Sequence, residues 1–276
     1  MEKPDQIGNL LLQLINDLNV KYKFERSFKM LQKTLLGNRF LLIIEKDDIR
    51  QDLHENIFDI CKKIHMPEEF FQAFNANYPD AGCVDFGFEE NERTPVYKIY
   101  LDFGAKWIKG IYTRPNKSQP LLLFLGFKWD ALDNTKCYLT EYTWYPSLPF
   151  EGIYEKLGNI FESGKYSKPF QIANDFLDIV SRRISHEDIH YLEVTEKDNP
   201  RRSFDINIYK AGLRLKEIYP LLLRIYQHYS IPENKFHAFY NEIRTKIFGH
   251  FSGGLSREEK DFLTLYFGVE KIATTQ

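Results

Sequence analysis

The chain has 276 residues, 43% of them hydrophobic and 28% charged, with a formal net charge of −2; it can bury a substantial core and has no global field to recruit nucleic acid or an anionic membrane. Cys61, Cys83 and Cys137 are widely spaced and form no CxxC pair, which argues against a disulfide framework or a thiolate zinc site and for a reducing, cytoplasmic setting. The aromatic share is high at 16%, with 23 Phe and 17 Tyr, and that many tyrosines need polar partners or a wet cavity.

The amino-terminal stretch MEKPDQIGNLLLQLINDL is acidic and amphipathic, so a helix is expected over 5–19, without the basic segment and apolar block of a secretion signal. NRFLLIIEKD (38–47) reads as a strand and 53–65 as a helix. In MPEEFFQAF (66–74), Pro67 and Glu68 suit the first turn of the next helix. Strands are expected at 83–89, 96–104, 121–130 and 137–145. Helices at 150–161 and 170–183 follow, with a Gly/Ser/Lys turn between them. The strands IHYLEVTEK and RSFDINIYK lead to a helix at 213–229 and a closing strand pair. The run PLLLFLGFKW is too short to span a bilayer. No low-complexity linker divides the chain, so residues 1–276 read as one domain.

One phrase occurs twice. IPENKFHAF (231–239) echoes MPEEFFQAF, and each follows an apolar helix-period run. Downstream, YKIYLDFG and DFLTLYFG place Phe103–Gly104 and Phe267–Gly268 at nearly matching distances from the two prolines. The pattern reads as a duplicated helix–strand–strand unit, about 53–104 and 216–269.

Several strands alternate. Tyr97, Ile99, Leu101 and Phe103 oppose Lys98, Tyr100 and Asp102. Phe204, Ile206 and Ile208 oppose Asp205, Asn207 and Tyr209, while Leu263, Leu265 and Phe267 oppose Thr264 and Tyr266. Such strands fit a half-buried sheet, or a barrel with an apolar outside under helices and a polar lumen. Strands that arrive in hairpin pairs between helices favour the antiparallel barrel.

The order α-β-β-β-β-α-α-β-β-α-β-β, with NRFLLIIEKD, VYKIYLDF, LGFKWDALDNTKCYLTEY, EVTEKDNPRRSFDINIY and SREEKDFLTLYFGVEK, resembles the ABBA prenyltransferases, and among them most the cyanobactin-type peptide prenyltransferases. The resemblance covers most of the chain from about residue 38 onward. It implies an α/β (α+β) protein whose antiparallel barrel of about ten strands is ringed by helices. It also implies a reaction in which an allylic diphosphate, dimethylallyl or geranyl, loses pyrophosphate and the carbocation is captured by an aromatic or other nucleophile, on a peptide or a small aromatic acceptor. That chemistry needs cations to hold the diphosphate, often with Mg²⁺. Aromatic faces must stabilise the carbocation and exclude water, and a base must take the last proton. The resemblance matches Arg39 to an early-strand arginine of the family, and Lys98 and Lys128, on the same side as Tyr100 in the proposed barrel, join it as diphosphate-binding candidates. Tyr100, Tyr142, Tyr209 and Tyr266 form the aromatic wall, Asn207 and His250 line the cavity, and Glu25 and Asp102 are candidate bases.

Two departures define an alternative. Asp102 and Gly104 stand where the family tends to place His or basic residues, and Asp205 and Asn207 where it tends to place Tyr and His. Inward acids that neutralise Lys98 and Lys128 would leave a diverged barrel, binding a small molecule or peptide as an accessory protein of a biosynthetic pathway.

Three short motifs carry less. HEDIH (186–190) satisfies the zinc-peptidase pattern but lacks a long helix to bring His186 and His190 to one face. VDFG and LDFG read as strand ends. GHFSGG (249–254) could offer amides to an anion but reads better as a bend in a barrel strand, with His250 facing the same way as Ser252.

Overall fold

The computed structural model describes residues 4–49, 54–111, 119–162, 164–197 and 199–273. Within them one or two helices precede a strand hairpin, five times in succession. The first unit is α1 (Pro4–Asp17), β1 (Tyr22–Leu31), the short β2 (Thr34–Leu36) and β3 (Arg39–Glu45). The second is α2 (His54–Lys63), α3 (Glu68–Asn77), β4 (Cys83–Glu89) and β5 (Val96–Asp102). The third is α4 (Gly104–Ile111), β6 (Leu121–Asp130) and β7 (Cys137–Trp144). The fourth is α5 (Phe150–Ile160), α6 (Ser167–Ser181), β8 (His190–Glu196) and β9 (Arg202–Asn207), and the fifth is α7 (Tyr219–His228), α8 (Glu233–Ile243), β10 (Phe248–Leu255) and β11 (Asp261–Ile272).

Each strand pairs antiparallel with the next, and β11 returns to β1 along Tyr22–Met30, closing a ten-stranded barrel; β2 pairs only with the end of β1. Closure leaves no open edge, so every central strand has both backbone edges hydrogen-bonded. The segments echoed in the sequence are α2–α3–β4–β5 and α7–α8–β10–β11, which share one order of elements.

Alternation then sorts the side chains. Outward residues of β3 to β6, such as Leu42, Phe86, Ile99 and Phe127, pack under α1 to α3 through Leu11, Ile57 and Phe74. Outward residues of β8 to β11 and β1, such as Phe204, Phe251, Leu265 and Phe28, pack under α5 to α8. On α6, Ile172, Ala173, Phe176, Leu177 and Val180 recur at helical spacing and are all buried, which is what seats that helix on the barrel. Phe176 lies 4.3 Å from Phe251, stacked, and meets Phe248 edge-on.

The structure differs from the sequence reading in several places. Residues 22–31, unassigned from the sequence, form the strand that closes the barrel. A helix, α4, begins at Gly104 where a strand end was expected, because the Asp102 carboxylate accepts the Gly104 N–H and turns the chain. The strand expected to run to residue 210 stops at Asn207, and Tyr209 belongs to a 3-10 turn. HEDIH is a 3-10 turn running into β8; His186 packs on Phe150 and His190 on Trp144. Among the described residues no helix is long and apolar enough to cross a membrane.

Candidate active site

Side chains from alternate positions of all ten strands point into the lumen, so residues far apart in sequence meet there. Register places Lys98 beside Lys128, and Lys128 beside Tyr138, around one level of the barrel. Tyr100 faces Asp85 across the β4–β5 pair at the next level.

At one mouth the lumen opens into a cavity of about 740 Å³ whose wall carries Lys29, Arg39, Lys98, Lys128, Arg201 and Arg257. Carboxylates share this wall, among them Glu92, Asp130, Asp205 and Asp261, and two others, Glu89 and Glu196, pair with the cations. Glu89 is engaged by Arg39 and by Lys98, and Arg39 also donates from Nε to Ser27 Oγ at 3.3 Å. Glu196 accepts from Arg201 at 2.6 Å and from both nitrogens of an Arg257 fork at 2.7 and 2.9 Å. Lys128 donates to the Tyr142 hydroxyl at 3.2 Å, and Arg257 lies 3.3 Å over the Tyr138 ring.

Concentrated positive charge shows in the titration behaviour. Burial, aided by Arg39, Arg201 and Arg257, pushes Lys29 down to about 7. Burial and neighbouring cations also lower Lys98 and Lys128, the latter partly offset by Glu196. Burial opposes the charge on Glu196, but Arg201, Lys128 and Arg257 outweigh it and hold that carboxyl at about 2. The partly desolvated cations Lys29, Lys98 and Lys128 would gain from a ligand with several negative oxygens.

Below the mouth the wall turns aromatic. Tyr100 and Tyr142 meet edge to face at 5.6 Å, Phe124 packs on Tyr142 at 5.9 Å, and Tyr266 packs on His250 at 5.4 Å. These rings border an inner recess that Glu25, Asp85, Asp205 and His250 also line. The His250 Nδ1 lies 2.7 Å from Asp205, and its Nε2 lies 3.8 Å from Glu25 and 3.1 Å from the Asn207 amide nitrogen. The Tyr209 hydroxyl donates to Glu25. Burial raises the Glu25 pKa, with His250 and Tyr209 opposing. Burial works against charge on His250, yet Asp205 and Glu25 push its pKa up to about 9.

Irregular backbone aims this cluster. The β1–β11 register shifts between Phe24 and Arg26, and the β10–β11 register between Phe248 and His250, and bulges of this kind re-aim single side chains. A Cβ at Gly249 would come within 2.0 Å of the Tyr209 ring, so only glycine there lets Tyr209 lie across β10 to reach Glu25.

The expected diphosphate residues Arg39, Lys98 and Lys128 share one cavity with Tyr142 and Tyr266, and Tyr100, Glu25 and His250 line the adjoining recess. Three residues stand elsewhere. Asp102 lies outside both linings with its carboxylate on the Gly104 N–H at 2.6 Å, and burial raises it to about 6. Asn207 and Tyr209 stand behind His250 and Glu25 as supports, away from the aromatic wall. Lys29, Asp85, Glu89, Glu196, Arg201 and Arg257 escaped sequence reasoning. Lys29 alternates with Glu25 and Ser27 in β1, a signal the charges of that strand obscure. Arg201 and Arg257 sit in turns, where no periodicity operates. The Mg²⁺ implied by the resemblance finds no built site: no group of three metal-ligating side chains occurs among the described residues, and Glu89 and Glu196 are taken by cations.

No protein-family model matches the chain, and no curated protein does. Solved structures do. AnaPT from Neosartorya fischeri aligns over 92% of this chain and 80% of its own with a TM-score of 0.57 at 10% identity. A 6-dimethylallyltryptophan synthase from Micromonospora olivasterospora, in complex with DMASPP and Trp, covers 89% and 81% with a TM-score of 0.56 at 11% identity. NotF in complex with brevianamide F and DMSPP covers 88% and 79% with a TM-score of 0.52 at 12% identity. At such identities the likeness carries architecture alone, and the architecture is that of the ABBA prenyltransferases, a closed barrel of ten antiparallel strands ringed by helices.

Proposed function

We propose that this barrel transfers an allylic isoprenyl group, dimethylallyl or geranyl, from its diphosphate to an aromatic or other nucleophilic group, with a peptide among the acceptors. The observation that carries the reading is the convergence of Arg39, Lys98, Lys128, Arg201 and Arg257 on one cavity beside Tyr142 and Tyr266. Asp205 is held by His250 and Asp102 by the Gly104 N–H, so neither neutralises Lys98 or Lys128. The accessory-protein alternative loses the support that Asp102 and Asp205 would have lent it, although Glu89 pairs with Lys98. The neighbours' bound molecules, dimethylallyl diphosphate analogues with tryptophan or brevianamide F, support the same chemistry here. The peptide acceptor rests on the resemblance of stretches such as EVTEKDNPRRSFDINIY to the cyanobactin-type enzymes.

In this mechanism the cationic mouth binds the diphosphate and stabilises the charge that grows on it as the allylic C–O bond breaks. The carbocation passes between the faces of Tyr100, Tyr142 and Tyr266, which lower its energy and exclude water. An electron pair of the acceptor forms the new bond to the allylic carbon. Glu25 then takes the displaced proton, its basicity raised by burial and its carboxylate oriented by Tyr209. No step requires a protein-bound metal.

The test is incubation of the purified protein with dimethylallyl and geranyl diphosphates, tryptophan, tyrosine and peptides containing them, followed by mass spectrometry. An acceptor gaining one isoprenyl unit is expected, with Glu25→Gln slowed by ~10²–10⁴, the usual contribution of general base catalysis. Intact diphosphate and unmodified acceptors throughout would refute the reading.

A further inference from the structure

Asp85 is a carboxylate with no task in that cycle. It sits on β4 with 4% of its surface exposed, lines the inner recess, and its Oδ1 makes no hydrogen bond. Buried polar atoms without partners are rare in folded proteins, and each one asks for an explanation. Its charged neighbours deepen the problem. Asp102 and Glu25 lie close enough to raise its pKa, burial being the larger cause. Lys23, the nearby cation, is engaged with Glu45 at 2.7 Å. The cations that line the recess, Lys98 and His250, are engaged with Glu89 and Asp205. The recess measures about 80 Å³, room for a small polar group and too little for a whole acceptor. Tyr100, Phe124 and Tyr142 border it, and aromatic faces favour a cation.

Resting on the transferase reading, we propose that this recess is an acceptor subsite for a positively charged group, an ammonium or guanidinium attached to the acceptor, held by Asp85 through its unpartnered Oδ1 with aromatic rings around it. The acceptor then enters with its cation toward the acidic floor and its nucleophile toward the diphosphate at the mouth. Opposite charges at the two ends of one lumen fix its orientation, which area burial alone would not do.

Two indoles of nearly equal shape test the proposal, tryptamine with its ammonium and tryptophol with a hydroxyl in its place. Calorimetric titration of the parent protein at neutral pH is expected to show tryptamine binding at least ~10-fold tighter, a charge-assisted contact against a neutral one. Asp85→Asn keeps the shape, removes the ionisable carboxyl, and is expected to bring the ratio close to one. Equal affinities in the parent, undetectable tryptamine binding at millimolar concentration, or an unchanged preference in Asp85→Asn would each overturn the subsite. These titrations contain no diphosphate and require no turnover. A protein that prefers tryptamine but transfers no isoprenyl group therefore keeps the subsite and loses the transferase reading; the opposite pair of results does the reverse.

Discussion

Lys98→Ala is the perturbation that reads the cationic mouth most directly. Lys98 is 7% exposed and touches Glu89, which Arg39 also engages. Removing the ammonium leaves Glu89 with a partner, and it relieves a crowd of cations that already lowers the Lys98 pKa. The fold should therefore tolerate the change, and the loss should appear in ligand binding. A charge-assisted hydrogen bond contributes ~1.5–3 kcal/mol, which is about ten- to a hundred-fold in dissociation constant at ~1.4 kcal/mol per decade. Titration with inorganic pyrophosphate at fixed ionic strength measures it directly. Lys128→Ala, whose ammonium sits beside Tyr142 on the neighbouring strand, should lose a similar amount. Lys62→Ala is the control: on α2 it is mostly exposed, with one loose ion pair to Asp59 at 3.9 Å, and it should match the parent. Equal affinities for parent and all three variants would reject the anion site, and with it the transfer of a group from a diphosphate.

Lys29 should make the same binding dependent on pH. Its folded-state pKa of about 7 lies below the ordinary 10.5, so between those values the unfolded chain holds a proton that the folded protein lacks, and stability of the free protein rises with pH across that window. A bound polyanion draws the pKa back up, so pyrophosphate binding at pH 8 should take up a proton, seen by calorimetry in buffers of different ionisation enthalpy. Lys29→Arg, charged throughout, should lose that uptake; identical uptake in both would refute the assignment. In the outer layer, Phe176→Ala should cost ~3–5 kcal/mol in chemical denaturation, because the ring is fully buried between α6 and β10 and stacks on Phe251 at 4.3 Å.

Much of the fold was legible because its signals are local. Alternation in YKIYLDF and SFDINIY marks strands whatever their neighbours, and Pro67 and Pro232 each precede a helix that begins at the next residue. The barrel's closing strand was not legible. YKFERSFKML mixes Glu25, Arg26 and Lys29 with its apolar residues, and a register shift at Glu25 breaks the period. The lumen carboxylate of Glu25 is met there by Tyr209 and His250, far along the chain. Parity located Lys98, Lys128 and Tyr100 because they stand in regular strands. It misjudged Tyr209, which lies past the last paired residue of β9, and Asp102, whose carboxylate starts a helix instead of facing the cavity. Glu196 with Arg201 and Arg257 was beyond sequence logic, since the three converge from a strand end and two turns.

The topology itself explains why opposite charges can share this lumen. In every unit the hairpin turn lies at the same end of the barrel, and the helical connections lie at the other. Residues flanking hairpin turns therefore gather at one mouth: Lys29 and Arg39 beside the first, Glu89 and Lys98 the second, Lys128 the third, Glu196 and Arg201 the fourth, Arg257 in the fifth. Residues at the helix-proximal ends gather on the opposite floor, which is where Glu25, Asp85 and His250 stand. Lys98 and Asp102 alternate onto one strand face, yet four residues at ~3.3 Å each separate them by about 13 Å, and the Asp102 carboxylate turns to the Gly104 N–H. An acid on the same face as a lysine thus need not neutralise it; its distance from the hairpin turn decides which end of the lumen it charges. By that rule the inward acids do not count against an anion site at the hairpin mouth.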